Sequence, residues 1–272
     1  MTLLDGRPLA ASLREQVASD AAAGPAPVLA VVVATDDPAT EWYLGSIAKA
    51  TSAAGIELRE ERASDAPGVL GRLDALSADG LVDGIICLTP LPTGLALAEA
   101  GLRIDPLKDV DGASPLSLGR LASGLPAFAP ATAQAVIELL DFAEVPLTGA
   151  EAVVVGRSIV VGKPLAMLLL AEQATVTVCH TRTRDLTAET RRADVLVAAA
   201  GRAHLIGPEH VKPDAVVIDV GTNEGPDGTM VGDVDTAGVE PVAGLVTPVP
   251  GGVGPVTTAV LLRNVVSAAR RE

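Results

Sequence analysis

Aromatic side chains are nearly absent: Trp42, Tyr43, Phe128 and Phe142 are all that 272 residues contain. A core must therefore be assembled from Ala, Val, Leu and Ile, and the 49% apolar content supplies them. Basic residues are also scarce, with 20 Lys+Arg against 34 Asp+Glu and a net charge of −14. A nucleic-acid binder or a protein held to an anionic membrane needs a basic face, so no nucleic-acid or membrane partner is expected. Cysteine is limited to Cys87 and Cys179, far apart and each inside an apolar run. With no Cys-x-x-Cys pair and no Cys/His cluster, no metal site is expected, and two buried thiols in a reducing compartment are. The first residues, MTLLDGRPLAASLREQ, lack a basic stretch followed by an apolar one, so no secretory leader is expected. The longest uncharged stretch, Pro241 to Leu262, holds four prolines and four glycines and does not read as a membrane helix. A cytoplasmic protein of one or two domains is the expectation.

What the chain does contain is a regular alternation. Leu9 to Ala22 reads as an amphipathic helix, and Val28 to Ala34 as a buried parallel strand. Asp36-Asp37-Pro38 is a turn that opens a helix over Glu41 to Ala54, closed by Gly55. Strands follow at Ile56–Glu60 and Gly84–Leu88, with a helix at Pro67–Leu76 between them. After a helix at Ala133–Phe142 a second series begins, with strands at Ala152–Val155, Thr175–Cys179, Val195–Ala199 and Ala215–Val220. A helix at Lys163–Ala171 joins the first two, and a last helix runs from Thr257 to Arg270. Repeated β-α-β predicts an α/β fold with parallel sheets, and Pro126–Pro130 reads as a crossover between two lobes.

Four segments could carry chemistry. Val155-Gly156-Arg157-Ser158-Ile159-Val160-Val161-Gly162-Lys163-Pro164 follows a strand and precedes a helix, where glycines and a helix N-terminus admit a phosphate, or simply make a turn. Its spacing is not Gly-x-Gly-x-x-Gly. Cys179-His180-Thr181-Arg182-Thr183 ends the next strand, where a nucleotide-binding fold reads the adenosine ribose. Basic and hydroxyl groups there, with no acid, favour a 2′-phosphate and hence NADP; a solvated loop is the plainer alternative. Thr247 to Thr257 is too rich in Pro and Gly to be regular, and such a loop lets backbone approach a flat ligand or merely crosses over. Lys108-Asp109-Val110-Asp111-Gly112 is either a solvated turn or a carboxylate reader of an amino-pyrimidine edge.

Together these segments resemble the bifunctional methylenetetrahydrofolate dehydrogenase/methenyltetrahydrofolate cyclohydrolase family. The likeness also takes in Asp5-Gly6, Asp36-Asp37-Pro38-Ala39, Asp83-Gly84-Ile85-Ile86, Pro90-Leu91-Pro92, Asp219-Val220-Gly221, Gly232-Asp233-Val234-Asp235 and Pro250 to Pro255. It implies a homodimer of two-lobed chains with a tetrahydrofolate-type substrate. Each chain would have an N-terminal α/β folate lobe (1–130), a Rossmann-like NADP-binding lobe with a parallel sheet (131–252), and a C-terminal segment (253–272) returning to the first lobe. By position, Tyr43 would stack on the folate and Asp111 would hold the pterin amino group, the two forming the catalytic site. Pro250, Gly251, Gly252, Pro255 and Thr258 would complete the substrate site. The cofactor residues would be Gly156, Arg157, Ser158, Gly162, His180, Thr181, Arg182, Ala200, Gly201 and Thr222.

The chain departs from the family pattern at telling places. The family's catalytic lysine, four residues after the tyrosine, is Ile47 here, and its glutamine partner before Pro90-Leu91-Pro92 is Leu88. Spacing of four puts Ile47 on the helix face of Tyr43, so that face meets substrate without an amine. Lys49, rotated by about 200°, is not a substitute. The family's Phe-His is Ala113-Ser114, its asparagine is Ser117, and its Pro-Cys-Thr-Pro is Pro130-Ala131-Thr132-Ala133, changes expected to reshape the substrate pocket. The expected activity is an NADP-dependent methylenetetrahydrofolate dehydrogenase without effective cyclohydrolase. A paralogue acting on another imine, aminal or C1 unit, and a non-catalytic folate/NADP binder, are the alternatives.

Overall fold

The computed structural model describes residues 2–225 and 228–271. Its elements run β1 (Thr2–Leu3), α1 (Arg7–Ala21), β2 (Val28–Val33), α2 (Pro38–Ala54), β3 (Glu57–Arg62), α3 (Ala66–Ala78), β4 (Gly84–Cys87), α4 (Leu97–Gly101), α5 (Pro115–Ala122) and α6 (Ala131–Phe142). They continue β5 (Glu151–Val155), α7 (Gly162–Ala171), β6 (Thr175–Cys179), α8 (Leu186–Thr190), β7 (Val195–Ala198), β8 (Val216–Asp219), β9 (Asn223–Glu224), β10 (Met230–Val231), α9 (Thr236–Val239), β11 (Leu245–Val246) and α10 (Val253–Ala269). The α/β fold with parallel sheets expected from the alternation is what forms.

Two compact units divide the chain: Met1–Ala10 with Thr132–Thr257, and Ala11–Ala131 with Thr258–Glu272. The first residues therefore group with the later part of the chain, where an N-terminal lobe from residue 1 was expected. The reason is β1, which pairs in parallel with β11, Thr2 against Leu245 and Leu3 against Val246.

In the first unit a six-stranded sheet runs β1-β11-β8-β7-β5-β6, with every pairing parallel. Its central strands β5 and β7 are continuous apolar runs because helices and loops cover both faces. From β5 the chain passes first to β6 on one side and then to β7 on the other. Strand order thus reverses between β5 and β7, and a doubly wound sheet opens its ligand crevice at the carboxyl ends of such a pair. Val153, Val155, Leu196, Val217 and Val246 form the core of this unit.

The second unit holds a three-stranded parallel sheet, β3-β2-β4. All six residues of β2 are buried, whereas β3, at the edge, is charged and has no buried residue, which guards against stray strand pairing. Asp37 caps α2 through the Thr40 N–H at 3.1 Å, Pro38 sits where no N–H is needed, and Gly55 closes the helix at φ 71°. The buried stripe of α2 is Thr40, Leu44, Ile47, Thr51 and Ala54.

One expected loop is half helix. α10 starts at Val253, four residues before the expected Thr257. Pro255 lies in its first turn, where a missing N–H costs no hydrogen bond. No helix among the described residues is long and apolar enough to cross a membrane, and none of them form a group of three His/Cys/Asp/Glu placed to hold a metal.

Candidate active site

The loop leaving β5 is built around two glycines. A Cβ on Gly156, whose φ is 139°, would stand 2.1 Å from the Ala199 carbonyl oxygen, and one on Gly162 would stand 2.2 Å from the Gly156 carbonyl oxygen. Only glycine lets β5 and β7 deliver their loops so close together at the reversal of strand order. Ser158 shapes the turn, its Oγ accepting from the Val161 N–H at 3.1 Å. At the end of β6 the His180 N–H donates to Thr183 Oγ1 at 2.9 Å. The Arg182 N–H donates to His180 Nδ1 at 3.0 Å. Arg157, Ser158, Thr181, Arg182, Ala200, Gly201 and Thr222 are exposed.

A dinucleotide fits this end of the sheet. Arg157, Lys163, Arg182 and Arg184 are exposed and form no ion pair among the described residues, whereas Arg7, Arg59, Arg62, Arg72, Arg103 and Arg192 each meet a carboxylate. Lys49 and Arg191, elsewhere on the surface, are likewise exposed and form no ion pair among the described residues, so it is the position of these four on the segments that follow β5 and β6, where the N-terminus of α7 also lies, that suits an anion. Lys163 lies within the expected loop segment, just inside α7, and Arg184 lies two residues beyond Arg182; neither was among the expected cofactor residues.

The predicted substrate loop lies in the same unit. Gly251 has φ 115°, and its carbonyl accepts from the Gly6 N–H at 2.9 Å. A Cβ on Gly6 would stand 2.1 Å from the Gly252 carbonyl oxygen. The Asp5-Gly6 motif therefore shapes the Pro250–Gly252 turn. Thr258, also predicted for the substrate, falls in the second unit and is buried.

In the second unit each polar residue of the 108–112 segment has its own task. Lys108 Nζ donates to the Ser77 and Asp79 carbonyls at 2.9 and 2.7 Å, capping α3. Asp109 is buried and accepts from the Ala113 and Ser114 N–H groups at 3.2 and 3.0 Å and from Ser117 Oγ at 2.5 Å. Ser114 and Ser117 are themselves buried and tie into the Asp109 network, the Ser114 Oγ donating to Ser117 Oγ at 3.1 Å. Beside them lies a void of about 10 Å³, enough for one water, lined by Asp109, Asp111, Cys87 and Ile85 among others.

Asp111 is the exceptional group. Its carboxyl is pushed up to about 7, first by burial, then by the negative charge of Asp109, with the Ala131 N–H bond acting the other way. Tyr43 is close enough to feel that charge; burial foremost and Asp111 second hold its phenol well above the ordinary range. The predicted pair is therefore together. Gly112 makes room for the turn after Asp111: at φ 59°, its Cβ would stand 2.3 Å from the Phe128 carbonyl oxygen. Ile47 has 0% of its surface accessible and Leu88 8%. Lys49 points to solvent, as helix geometry required.

Such a sheet, with a glycine-built loop and unpaired cations at its switch point, defines a dinucleotide-binding α/β protein. Residues 4–111 match the family model described as tetrahydrofolate dehydrogenase/cyclohydrolase, catalytic domain, and residues 130–272 match the NAD(P)-binding domain of the same family. The chain belongs to the tetrahydrofolate dehydrogenase/cyclohydrolase family. The bifunctional protein FolD of Parafrankia sp. (strain EAN1pec) is 56% identical over 274 residues, covering 99% of each chain. The crystal structure of the bifunctional FolD enzyme from Campylobacter jejuni is 39% identical, covers 99% of each chain, and superposes with a TM-score of 0.95. The Trypanosoma brucei enzyme, solved with NADP cofactor and an inhibitor, is 33% identical with a TM-score of 0.92 and 99% coverage of each chain.

Proposed function

We propose that this protein is an NADP-dependent 5,10-methylenetetrahydrofolate dehydrogenase whose cyclohydrolase step is lost or reduced by at least ~100-fold, the usual worth of a general acid–base. One observation carries the loss: the position four residues after Tyr43 is a fully buried Ile47, and its partner position is the buried Leu88. These positions hold a lysine and a glutamine in the family pattern that the chain resembles.

When bound, NADP supplies the hydride acceptor. Gly156, Ser158 and Gly162 shape the loop that takes the pyrophosphate against the N-terminus of α7, and Arg157 and Arg182 meet the 2′-phosphate. His180, Thr181, Ala200, Gly201 and Thr222 complete that site. Tyr43 stacks on the pterin, and the Asp111 anion accepts two N–H bonds from its amino-pyrimidine edge. Pro250, Gly251, Gly252, Pro255 and Thr258 are the further substrate residues that the family likeness implies. Hydride transfer needs the carbon held in place and dry, and no proton has to move. Ring opening of the methenyl product needs a proton carried and a water oriented; Ile47 and Leu88 do neither, and Tyr43 is held as a neutral phenol. By family likeness we take the working form to be a cytoplasmic homodimer of two-lobed chains, divided as the sequence suggests near residue 130.

A single absorbance trace tests the reading. With methylenetetrahydrofolate and NADP, NADPH and methenyltetrahydrofolate are expected to rise together, and the methenyl signal to decay no faster than without enzyme. Accelerated decay refutes the loss of cyclohydrolase; no NADPH at all refutes the substrate.

A further inference from the structure

Three successive backbone N–H groups at the exit of β7 converge on one carboxylate. Ala200, Gly201 and Arg202 donate to Asp233 at 2.6, 2.9 and 2.8 Å, and the Asn223 side-chain amide adds a fourth bond at 2.9 Å. Asp233 has no accessible surface, yet the three loop residues it holds are exposed. Gly201, at φ 64°, is the left-handed residue that turns neighbouring N–H groups toward one point, as in a backbone anion nest. Here the nest is filled from inside by the chain's own carboxylate. It is closed to a ligand phosphate, and what the carboxylate does is fix the loop.

Asp233 is fixed in turn. Its own N–H donates to Asp219 Oδ1 at 3.0 Å, and the Gly221 and Val234 N–H groups donate to the same carboxylate at 2.8 and 2.9 Å. A Cβ on Gly232 would stand 1.8 Å from Asp219 Oδ2, so the two acids can sit in tandem only beside a glycine. Two buried carboxylates without a cation are unfavourable unless hydrogen bonds offset the burial. Four bonds hold Asp233, while burial still pushes Asp219 up to about 6 against the three N–H bonds it accepts. The motifs Asp219-Val220-Gly221 and Gly232-Asp233-Val234 are this double clasp.

The held loop has a defined place. In the order β6-β5-β7, the β5 loop takes the pyrophosphate and the end of β6 takes the adenosine ribose. The other half of a dinucleotide must then run across the end of β7, over Ala200–Arg202. Resting on the cofactor reading above, we propose that Asp233 is a positioning residue for the nicotinamide half of NADP, acting through the backbone of Ala200, Gly201 and Arg202.

The test compares NADPH with adenosine 2′,5′-bisphosphate, which lacks the nicotinamide half, by titration calorimetry. Asp233→Asn keeps the side chain's shape but turns an amide donor toward the N–H groups. It is expected to weaken NADPH at least tenfold, leave the bisphosphate within twofold, and speed hydrogen exchange at residues 200–202. Unchanged NADPH affinity, or equal losses for both probes, overturns the proposal. Should Asp233→Asn fail to fold, Asn223→Ala decides: a two- to fivefold loss for NADPH alone is expected, and no change or an equal loss for both overturns it. A wild-type chain that binds neither probe overturns the dinucleotide reading itself, and this proposal with it.

Discussion

Ile47→Lys introduces the lysine of the family pattern that the chain resembles and measures how dry the position is. Ile47 lies on the buried stripe of α2 between Leu44 and Thr51, with no accessible surface. An amine there must shed its proton to stay in the fold. Bringing a lysine from its ordinary pKa to below 7 costs at least about 4–5 kcal/mol at pH 7, a large share of a typical stability of roughly 5–15 kcal/mol. The sign with pH follows from proton counts. The folded amine is neutral and the unfolded one charged, so the unfolded chain binds the extra proton and stability rises with pH up to the ordinary lysine value. Urea denaturation at pH 7, 8.5 and 10 is therefore expected to show a large destabilisation that shrinks by about 1.4 kcal/mol per pH unit. A loss below about 1 kcal/mol, flat with pH, would mean that the amine reaches water, and the argument for a dried site would fail. Adding Leu88→Gln supplies the partner of the family pattern. The double variant is expected to hydrolyse the methenyl product measurably, and a folded double variant that does not would mean that the pocket differs from the family pattern at further positions.

Three other outcomes follow from the same geometry. On the proposed reading Asp111, pushed up to about 7 by burial and Asp109, meets the pterin as an anion, so KM for the folate is expected to rise as pH falls through 7 while KM for NADP stays level in steady-state assays. The same raised value makes the charged group a burden above pH 7, so Asp111→Asn is expected to abolish folate turnover yet raise the melting temperature at pH 8. Arg182→Ala is expected to lower NADP affinity by about tenfold or more and leave NAD affinity unchanged, since only the former carries the 2′-phosphate; equal losses in calorimetry would place Arg182 elsewhere. Ser117→Ala removes a 2.5 Å bond to buried Asp109 and is expected to destabilise the fold by about 1–3 kcal/mol in urea denaturation, against a null effect if Ser117 only lined a pocket.

Parallel strands and their helices were legible because buried β-branched runs such as VLAVVV are unlike anything that faces water. Capping residues were legible too: Asp37-Pro38 and Gly55 announce the two ends of α2 through side-chain and backbone chemistry that needs no tertiary context. The pairing of β1 was not, since two residues carry no periodicity and their partner, Leu245–Val246, hides at the front of a Pro/Gly-rich stretch. Spacing correctly put Tyr43 and Ile47 on one face of α2 but not how deep each lies along it. Depth depends on what packs against the helix, and there Tyr43 is half-buried while Ile47 is fully buried. Asp109 shows the same limit from the other side. Two carboxylates two positions apart would share a face if the segment stayed extended, so sequence gives no reason for them to differ. The segment does not stay extended: Asp109 is bridged to Ile85 beside β4 and buried, and the chain turns straight after it, the Gly112 N–H donating to the Asp109 carbonyl at 3.0 Å. The turn leaves Asp111 beside Tyr43 with a raised pKa, so a tertiary bridge followed by a turn separates the carboxylate that builds the fold from the one proposed to meet a ligand.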